Sequence, residues 1–558
     1  MKWNGWGDPD KEYQVFSKPA LFPFLMKYLG VSQKDYTARK SKNEVVLPKA
    51  NINLPFMNAV QEFLSQEQIA TDDETRLVHL YGKSYRDLIR LRNLQFGTPP
   101  DAVLYPKSHQ EVEKIVAAAI LNSVALIPFG GGTNIVGGVE VMKKGNGTPY
   151  TMAATLNMQQ MNQILSIDAS SLTARIQAGM LGPDIETALN AKGFSLGHFP
   201  DSFEFSTLGG WLATRSAGMQ SDTYGKIEDM AISIKIVTPK GTIETPLVPK
   251  GSTGPDFNHM IIGSEGVLGV ITEAVMQIHK LTKEEYLGIL FPSFTSGVAA
   301  IQQCVQNNLT LTTMRLSNQS ETALGFALRS SPPLKTYKDI MHQFKQKIAL
   351  GFLKKFKGLD IESTCLMIIG IDQSTPDFSN TKAQILKILK SHGGINLGSG
   401  IGQHWYKGKY DYPYIRDFCM DYSITVDVTE TSTLWSNVMP MYEAVKERME
   451  KALANESHPG YLGCHLSHSY QSGACLYFTF GKKTAAGNEL NDYHRLKGII
   501  VDEILKWKGA LSHHHAIGYE HLPWYRDYVG DTSVEALKGL KSALDPLGIC
   551  NPGKLIPQ

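Results

Sequence analysis

The feature that most constrains this chain is a run of three glycines directly after a short apolar segment. Residues 124–127 read VALI, which is typical of a buried strand, and residues 128–134 read PFGGGTN. Successive glycines let neighbouring backbone N–H groups converge on an anion, and the last two side chains add donors. The spacing matches neither a Walker loop nor a G-x-G-x-x-G turn. The pattern predicts a phosphate-binding turn, with an ordinary tight turn as the alternative. Its candidate residues are Pro128, Phe129, Gly130, Gly131, Gly132, Thr133 and Asn134.

A second cluster, rich in hydroxyl groups and glycines, occupies residues 201–218 and leads into a predicted helix at 208–214. The N-terminus of a helix capped by Ser or Thr suits a pyrophosphate, and an ordinary capped helix is the alternative. The candidate cofactor-binding residues are Asp201, Ser202, Phe203, Glu204, Phe205, Ser206, Thr207, Thr214, Arg215, Ser216 and Ala217.

A third segment, residues 263–272, combines glycines with an apolar strand pattern. Glycines at such a position indicate close approach of the backbone to a ligand, or else a β-bulge or hairpin. The candidate residues are Ser264, Glu265, Gly266, Val267, Leu268, Gly269, Val270 and Ile271.

The length of 558 residues is too great for one hydrophobic core, so two or more domains are expected. Strand and helix patterns alternate from about residue 99 to 283 and predict an α+β domain. The alternation then starts again and predicts a second domain with its own sheet. The predicted elements include helices at 109–122, from about 296, at 379–391, near 435–453 and near 488–507, and strands at 286–291 and 365–371.

Composition excludes several classes of protein. Lys and Arg number 55 against 53 Asp and Glu, and the net charge of +2 argues against nucleic-acid binding. The six cysteines form no C-x-x-C pair, which favours a reducing compartment. The sequence shows no apolar run long enough to span a membrane, no secretory signal near Met1, and no S-K-L type peroxisomal address at its Ile-Pro-Gln end.

In this order and at this spacing, the three segments resemble the FAD-binding domain of the vanillyl-alcohol-oxidase, or PCMH-type, family. The resemblance implies an α+β protein in which the first two segments hold the FAD pyrophosphate and the third lies along the flavin. Non-covalent FAD is expected, because the PFGGGTN loop lacks the histidine to which some members attach the flavin. The expected parts are a helical N-terminal extension (1–95), the FAD-binding domain (96–282), a cap domain with its own antiparallel sheet (283–515) and a C-terminal segment returning to the FAD domain (516–558).

Two further segments distinguish members of this family. Many of its 2-hydroxy-acid dehydrogenases carry H-x-G-D-G-N and S-G-E-H-G-I-G segments, whose acidic groups suit a divalent metal. The matching segments here read HLSHSY from His465 and SHHHAIG from Ser512. The hard oxygen ligands are therefore missing, and no metal site is predicted.

Other segments resemble the alkyldihydroxyacetonephosphate synthases from Trp3 to about Pro552. They are the N-terminal KWNGWGD, residues 414–417, Tyr477 and the histidines at 513–515. The resemblance implies ether-lipid synthesis, in which acyl-dihydroxyacetone phosphate exchanges its acyl chain for a fatty alcohol through a flavin N5 adduct, without net redox change. It also implies a peroxisomal homodimer in peripheral contact with a membrane.

The resemblance further assigns catalytic roles to Tyr477, Arg416, Arg315, His198, His513, His514 and His515. A tyrosine in a strand such as 474–480 is ordinarily a core residue, but the family match makes Tyr477 the base that removes a C1 proton. Arginines are ordinarily ion-pairing residues, although the guanidinium fork also suits a phosphate or a flavin oxygen. His198 and Ser264 have the plain alternatives of a loop histidine and a turn serine.

The histidine triplet has several interpretations. If the segment is extended, His513 and His515 share one face and His514 points away, which argues against a three-histidine zinc site. Two interpretations remain: the histidines are solvated surface residues, or they shuttle protons near the flavin. The resemblance implies that they shuttle protons.

One segment predicts a contact between the protein and a lipid surface. Residues 341–358 show a basic amphipathic helical pattern that fits a lipid interface, with an ordinary packed helix as the alternative. Two functional alternatives are a redox enzyme of the same fold that oxidises a hydroxy acid or alcohol, and a flavin-bound lipid or membrane scaffold.

Overall fold

The computed structural model describes residues 1–557 except for 16, 143, 146–147, 310, 330–362 and 455–457. The chain divides into two units. Unit 1 comprises Met1–Pro9, Arg39–Leu281 and Leu511–Gln558, and unit 2 comprises Asp10–Ala38 and Thr282–Ala510. The predicted amphipathic helix at 341–358 lies outside the described residues.

The predicted single N-terminal extension over residues 1–95 is instead divided between the units. The reason is the apolar helix Leu21–Leu29, whose Leu21, Leu25 and Leu29 join a core of unit 2 with Phe418 and Tyr461. Arg39 and the residues that follow it up to Leu281 belong to unit 1, where Phe56 and Val60 lie in a hydrophobic core.

The described part of unit 1 contains two sheets of more than two strands. The first has four strands in the order Ile69–Ala70, Ala102–Leu104, Met152–Asn157 and Val124–Phe129, and its last three strands are parallel. The second is antiparallel, in the order Gly241–Glu244, Ala231–Thr238, Val270–Gln277, Thr173–Gln177 and Ile164–Asp168. A two-stranded pair joins Phe194–Ser195 to His279–Lys280.

Several helices of unit 1 begin at a polar side chain that caps a free N–H group. Ser108 accepts from the N–H of Glu111 at 3.2 Å, and Thr207 accepts from that of Gly210 at 3.4 Å. These caps begin the helices predicted at 109–122 and 208–214, and both have those bounds. The α-helices of unit 1 are Leu54–Gln61, Asp73–Val78, Tyr85–Arg92, His109–Asn122, Gly182–Asn190, Leu208–Thr214, Ser221–Tyr224, Ile227–Met230, Phe257–Ile261, Leu522–Val529 and Asp531–Leu544.

Unit 2 is built on one seven-stranded antiparallel sheet. Its order is Ile395–Asn396, Glu284–Phe291, Cys365–Asp372, Thr313–Ser317, Tyr461–Ser469, Gly473–Lys483 and Ile424–Leu434. The described α-helices of this unit are Leu21–Leu29, Phe294–Gln306, Gln319–Ala327, Phe378–Ser391, Ser399–Gly408, Tyr412–Asp421, Trp435–Leu453 and Glu489–Lys506. Among the described residues, no helix has both the length and the apolar character needed to cross a membrane.

Candidate functional site

The first two glycine-containing segments lie against each other in unit 1. A Cβ atom at Gly130 would overlap the Thr207 hydroxyl, and one at Gly131 would overlap the Phe205 carbonyl. At Gly131 only glycine permits this approach, because a Cβ there would displace the backbone of Phe205. The PFGGGTN loop therefore lies directly beside the N-terminus of helix Leu208–Thr214.

The loop after Gly132 is closed by Asn134. Its Oδ1 accepts the N–H of Val136 at 3.0 Å and that of Gly138 at 2.6 Å. In the part of the chain that the structure describes, the N–H groups of Gly131, Gly132 and Thr133 donate to no backbone carbonyl. Clustered N–H groups of this kind form a nest suited to an anion.

The third segment joins the same region. A Cβ at Gly266 would lie 3.0 Å from Cγ of Pro128. The N–H of Gly263 donates to the carbonyl of Leu212 and that of Glu265 to the carbonyl of Ala213, both at 2.9 Å. Unit 1 thus brings together all three segments that were singled out in the sequence.

Two buried polar atoms beside these segments have no protein partner among the described residues. They are the hydroxyl of Ser264 and Nδ1 of His198. A buried polar atom without a partner costs free energy, so each is a candidate contact for a bound group. Together with the nest, they form a donor set that fits a dinucleotide such as FAD. Gly131, Gly132, Thr133, Ser264 and His198 are the residues that would hold it.

His198 contacts two residues of the second segment. Its Nε2 lies 3.1 Å from the hydroxyl of Ser216, and its ring packs 4.8 Å from that of Trp211. Burial, assisted by the charge of Lys226, lowers the pKa of His198 to about 3. The imidazole is therefore neutral at physiological pH.

Some candidate side chains in unit 1 have partners within the protein. The hydroxyl of Ser206 accepts from the indole of Trp211 at 2.7 Å, and that of Thr214 donates to the carbonyl of Gly210 at 2.9 Å. Val270 belongs to the hydrophobic core. Both carboxylate oxygens of Glu265 accept backbone N–H groups, so this side chain organises the protein itself.

The histidine triplet does not form the extended segment considered above. Residues 513–515 lie in bends, so the rings are not placed alternately on two faces. Nδ1 of His513 lies 2.9 Å from Nδ1 of His514, and the ring of His514 packs 4.4 Å from that of His515. Nζ of Lys226 donates to the carbonyl of His513 at 2.6 Å. The three imidazoles therefore form one contiguous group in unit 1.

The N-terminal KWNGWGD segment also contacts the cofactor region. Trp6 packs edge to face on Phe205, with ring centroids 6.1 Å apart. The carbonyl of Lys2 accepts from Nζ of Lys83 at 2.6 Å, and that of Asn4 accepts from Nε of Arg92 at 3.1 Å. This segment therefore supports the second glycine-containing segment rather than forming a separate part.

In unit 2, Tyr477 lies in a row of side chains that crosses four strands. The register pairs Ser317 with His465, His465 with Tyr477, and Tyr477 with Glu430. Residues directly opposite each other in an antiparallel sheet point to the same face. Tyr477 is partly exposed, whereas His465 and Glu430 are buried.

A charged network lies beside this row. Nη2 of Arg315 donates to Oε1 of Glu321 at 2.6 Å, and Nδ1 of His465 lies 3.1 Å from both oxygens of the same carboxylate. Burial alone would raise the pKa of Glu321, but the facing His465 and Arg315 lower it to about 2. Arg315 is thus paired within unit 2.

Arg416 differs from Arg315. It lies in helix Tyr412–Asp421, and its buried Nε and Nη2 atoms have no hydrogen-bond partner within the described residues of the chain. A guanidinium is always charged and offers five N–H donors in a fixed fork. Arg416 is therefore placed to bind an anionic group.

Sequence reasoning missed Glu321, His465 as a partner of Tyr477, and two buried lysines near the C-terminal end. Nζ of Lys541 donates to the carbonyl of Val267 at 2.6 Å, and Nζ of Lys554 to that of Glu140 at 2.6 Å. Glu321 follows the N-cap Asn318 by three residues, a spacing typical of helix capping. Lys541 forms an i,i+4 pair with Asp545, which is typical of an exposed helix face.

The fold and the converging segments define an FAD-dependent enzyme. Residues 100–245 match the family model described as FAD binding domain, and residues 280–555 match the one described as FAD linked oxidases, C-terminal domain. The cofactor is therefore FAD, and the predicted PCMH-type α+β fold is confirmed.

Individual relatives show which family of FAD-dependent enzymes the chain resembles. Alkyldihydroxyacetonephosphate synthase of Dictyostelium discoideum is 38% identical over 583 residues, covering 100% of this chain and 93% of the relative. The synthase of Trypanosoma brucei brucei is 36% identical over 579 residues, with 100% and 92% covered. A solved structure of alkyldihydroxyacetonephosphate synthase has a TM-score of 0.86 at 35% identity, over 100% of this chain and 99% of that chain. The chain belongs to the alkyldihydroxyacetonephosphate synthase family.

Proposed function

We propose that this protein makes the ether bond of ether lipids from acyl-dihydroxyacetone phosphate and a long-chain fatty alcohol. The bond from C1 to the acyl oxygen breaks, the fatty acid leaves as its carboxylate, and C1 bonds to the alcohol oxygen as the alcohol loses its proton. No net redox change occurs. Similarity to the synthases over the whole chain carries the proposal. FAD, when bound, supplies the covalent chemistry of the exchange through its N5 atom.

Arg416 is proposed to bind the substrate phosphate. The fork of its guanidinium matches a phosphate, and its buried Nε and Nη2 have no partner in the part of unit 2 that the structure describes. Arg315 is proposed to hold the carboxylate of Glu321 in place, and its ion pair with Glu321 supports this role.

Tyr477 is proposed to remove a proton from C1 of the substrate. Its partial exposure leaves part of the side chain accessible, while the buried neighbours in its row fix the ring. A positioned base of this kind typically contributes about 10²–10⁴ in rate.

The three histidines and His198 are proposed to act in unit 1. His513, His514 and His515 form a contiguous set of imidazoles, which can pass protons from one ring to the next. His198 is neutral, with Nε2 engaged by Ser216, so its Nδ1 is suited to a neutral hydrogen bond with the bound cofactor.

The test is an exchange assay with the FAD-loaded protein, palmitoyl-dihydroxyacetone phosphate and labelled hexadecanol. Labelled alkyl-dihydroxyacetone phosphate and free palmitate should appear in equal amounts. Adding a 2-hydroxy acid should leave the flavin absorbance unchanged. Bleaching by the hydroxy acid without an ether product would favour a redox enzyme, and no turnover of any kind would favour a scaffold.

Location and assembly are proposed on the resemblance alone. We propose a peroxisomal homodimer with peripheral membrane contact, since both substrates carry long chains that reside in lipid. Light scattering tests the dimer, sedimentation with phospholipid vesicles tests the membrane contact, and imaging of the tagged protein tests the compartment. A monomer that stays in the supernatant would contradict the first two.

A further inference from the structure

We propose that His465 is the positioning residue for Tyr477: its imidazole, anchored by Glu321, supports the tyrosine ring face to face and fixes it for proton removal. This inference rests on the proposed function, because it assigns His465 a role in the step given to Tyr477. All of the residues that carry it lie in unit 2.

The first observation is the stacking of the two rings. The centroids of His465 and Tyr477 are 4.6 Å apart, and their planes are 17° from parallel. The two residues are direct partners on the antiparallel strands Tyr461–Ser469 and Gly473–Lys483. His465 is buried and Tyr477 is partly exposed, so the imidazole supports the ring from the protein side. A flat buried neighbour limits rotation of the phenol and thereby fixes the direction of its hydroxyl.

The second observation is the anchor of the imidazole. Nδ1 of His465 lies 3.1 Å from both oxygens of Glu321. A carboxylate only accepts hydrogen bonds, so Nδ1 must carry a hydrogen. The pKa of Glu321 is about 2, because His465 and Arg315 outweigh the effect of burial. The carboxylate is therefore ionised throughout the physiological range and remains an acceptor for Nδ1–H of His465.

Glu321 is itself held at two points. The N–H of Glu321 donates to Oδ1 of Asn318 at 2.9 Å, which fixes the start of helix Gln319–Ala327. Nη2 of Arg315 fixes one carboxylate oxygen at 2.6 Å. Support for the phenol thus runs from a helix cap through Glu321 and His465 to Tyr477. Such support matters because small misplacements of a catalytic group cost much of its rate.

The test compares His465→Asn, Tyr477→Phe and the double variant in the FAD-loaded protein. His465→Asn keeps a side-chain N–H for Glu321 and removes the flat ring. We expect normal FAD content, a KM for the acyl substrate within about threefold of wild type, and a kcat at least tenfold lower. Exchange of the C1 hydrogen with solvent should fall by the same factor. In the double variant, His465→Asn should add no loss to that of Tyr477→Phe, because both act on one step.

His465→Phe is the second variant, since it keeps a flat ring but cannot bond to Glu321. Its kcat should lie between those of wild type and His465→Asn. His392→Asn is the matched control, because His392 bonds to Gln303 at 2.7 Å on an exposed part of the same unit and should keep its full kcat.

Each other outcome overturns the proposal for a separate reason. A normal kcat in His465→Asn, with active wild-type protein, removes His465 from the reaction and leaves the proposed function standing. Failure of wild-type protein to form ether product instead overturns the proposed function itself. Multiplying losses in the double variant would show that His465 acts apart from Tyr477. Loss of soluble yellow protein in both His465→Asn and His465→Phe would assign His465 to folding alone.

Discussion

The carboxylate of Glu265 accepts a hydrogen bond from the backbone N–H of Gly518 at 2.7 Å. Its other oxygen accepts from Ile517 at 2.9 Å. Glu265 lies in the third glycine-containing segment, and Gly518 follows the histidine triplet by three residues. One buried side chain therefore couples the predicted flavin-side segment to the histidines within unit 1.

Replacing Glu265 by Gln should destabilise unit 1. The new NH₂ group would face a backbone N–H, so one buried amide would lose its acceptor at a cost of about 1–3 kcal/mol. Thermal unfolding of Glu265→Gln should therefore occur at a lower temperature. Glu244→Gln is the control, because Glu244 is 43% exposed and its ion pair with Arg175 should contribute less than about 1 kcal/mol. Equal shifts in the two variants would contradict the coupling.

His198 should make stability depend on pH. Burial lowers its pKa from 6.5 to about 3, so the folded protein keeps it neutral where the unfolded chain binds a proton. Its contribution to stability is complete above pH 6.5 and declines as the pH falls towards 3. The stability of wild type relative to His198→Asn should therefore be lower at acidic than at neutral pH, as measured by urea unfolding. His259→Asn, at a position 53% exposed, should show no such trend. Parallel curves for wild type and His198→Asn would refute the assignment.

Gly131→Ala should weaken FAD binding. The added Cβ would overlap the Phe205 carbonyl and separate the first two segments. We expect soluble protein to contain less than about a tenth of the wild-type FAD, measured by visible absorbance. That loss corresponds to at least about 1.4 kcal/mol. Gly539→Ala is the control, since nothing lies within 4 Å of its Cβ and it is within helix Asp531–Leu544. There, alanine should stabilise by up to about 1 kcal/mol. Full FAD content in Gly131→Ala would refute the assigned close approach.

Arg416→Ala should weaken use of the phosphate-bearing substrate. Loss of a charge-assisted contact should cost about 1.5–3 kcal/mol, or at least tenfold in kcat/KM, with unchanged FAD content. Arg416→Lys should recover only part of the loss, because an ammonium lacks the fork. Arg448→Ala, at a position 49% exposed and paired with Glu503, should keep its activity. If FAD content falls together with activity, Arg416 supports folding rather than the substrate.

Tyr477→Phe removes only the phenol oxygen, so it distinguishes a role in the reaction from a role in folding. The variant should fold and hold FAD but lose about 10²–10⁴ in ether synthesis, because the base is gone. Exchange of the C1 hydrogen with solvent should be lost as well, as mass spectrometry in deuterated water would detect. Tyr493→Phe is a control in the same unit, whose hydroxyl contacts Lys497 at 3.0 Å. Near-normal exchange in soluble, yellow Tyr477→Phe would remove Tyr477 from the mechanism.

Local patterns in the sequence were sufficient where local forces decide the structure. The helices at 109–122 and 208–214 follow from their caps and apolar spacing, and both have the predicted bounds. The bends at the histidine triplet could not be predicted, because they depend on contacts with distant residues such as Lys226. The division of the N-terminal residues between two units likewise depends on which core receives Leu25, and periodicity does not specify that.

The candidate site was predictable in part for the same reason. The three glycine-containing segments predicted a cofactor site because their order and spacing resemble those of a known family. The stacking of His465 on Tyr477 depends instead on register between strands, and a one-residue shift would place the two side chains on opposite faces. The contact of Glu321 with His465 could not be predicted, because the position of Glu321 three residues after Asn318 is already explained by helix capping.

The discontinuity of unit 1 sets an order of events during synthesis. The strand Val124–Phe129 is completed on one side by the C-terminal segment: the N–H of Leu126 donates to the carbonyl of Ile549 at 2.8 Å, and that of Asn551 to the carbonyl of Leu126 at 2.9 Å. These contacts cannot form on the ribosome until the whole of Thr282–Ala510 has been translated. The nascent chain therefore carries the PFGGGTN loop next to a strand edge that stays unpaired until residues 549–551 have been translated.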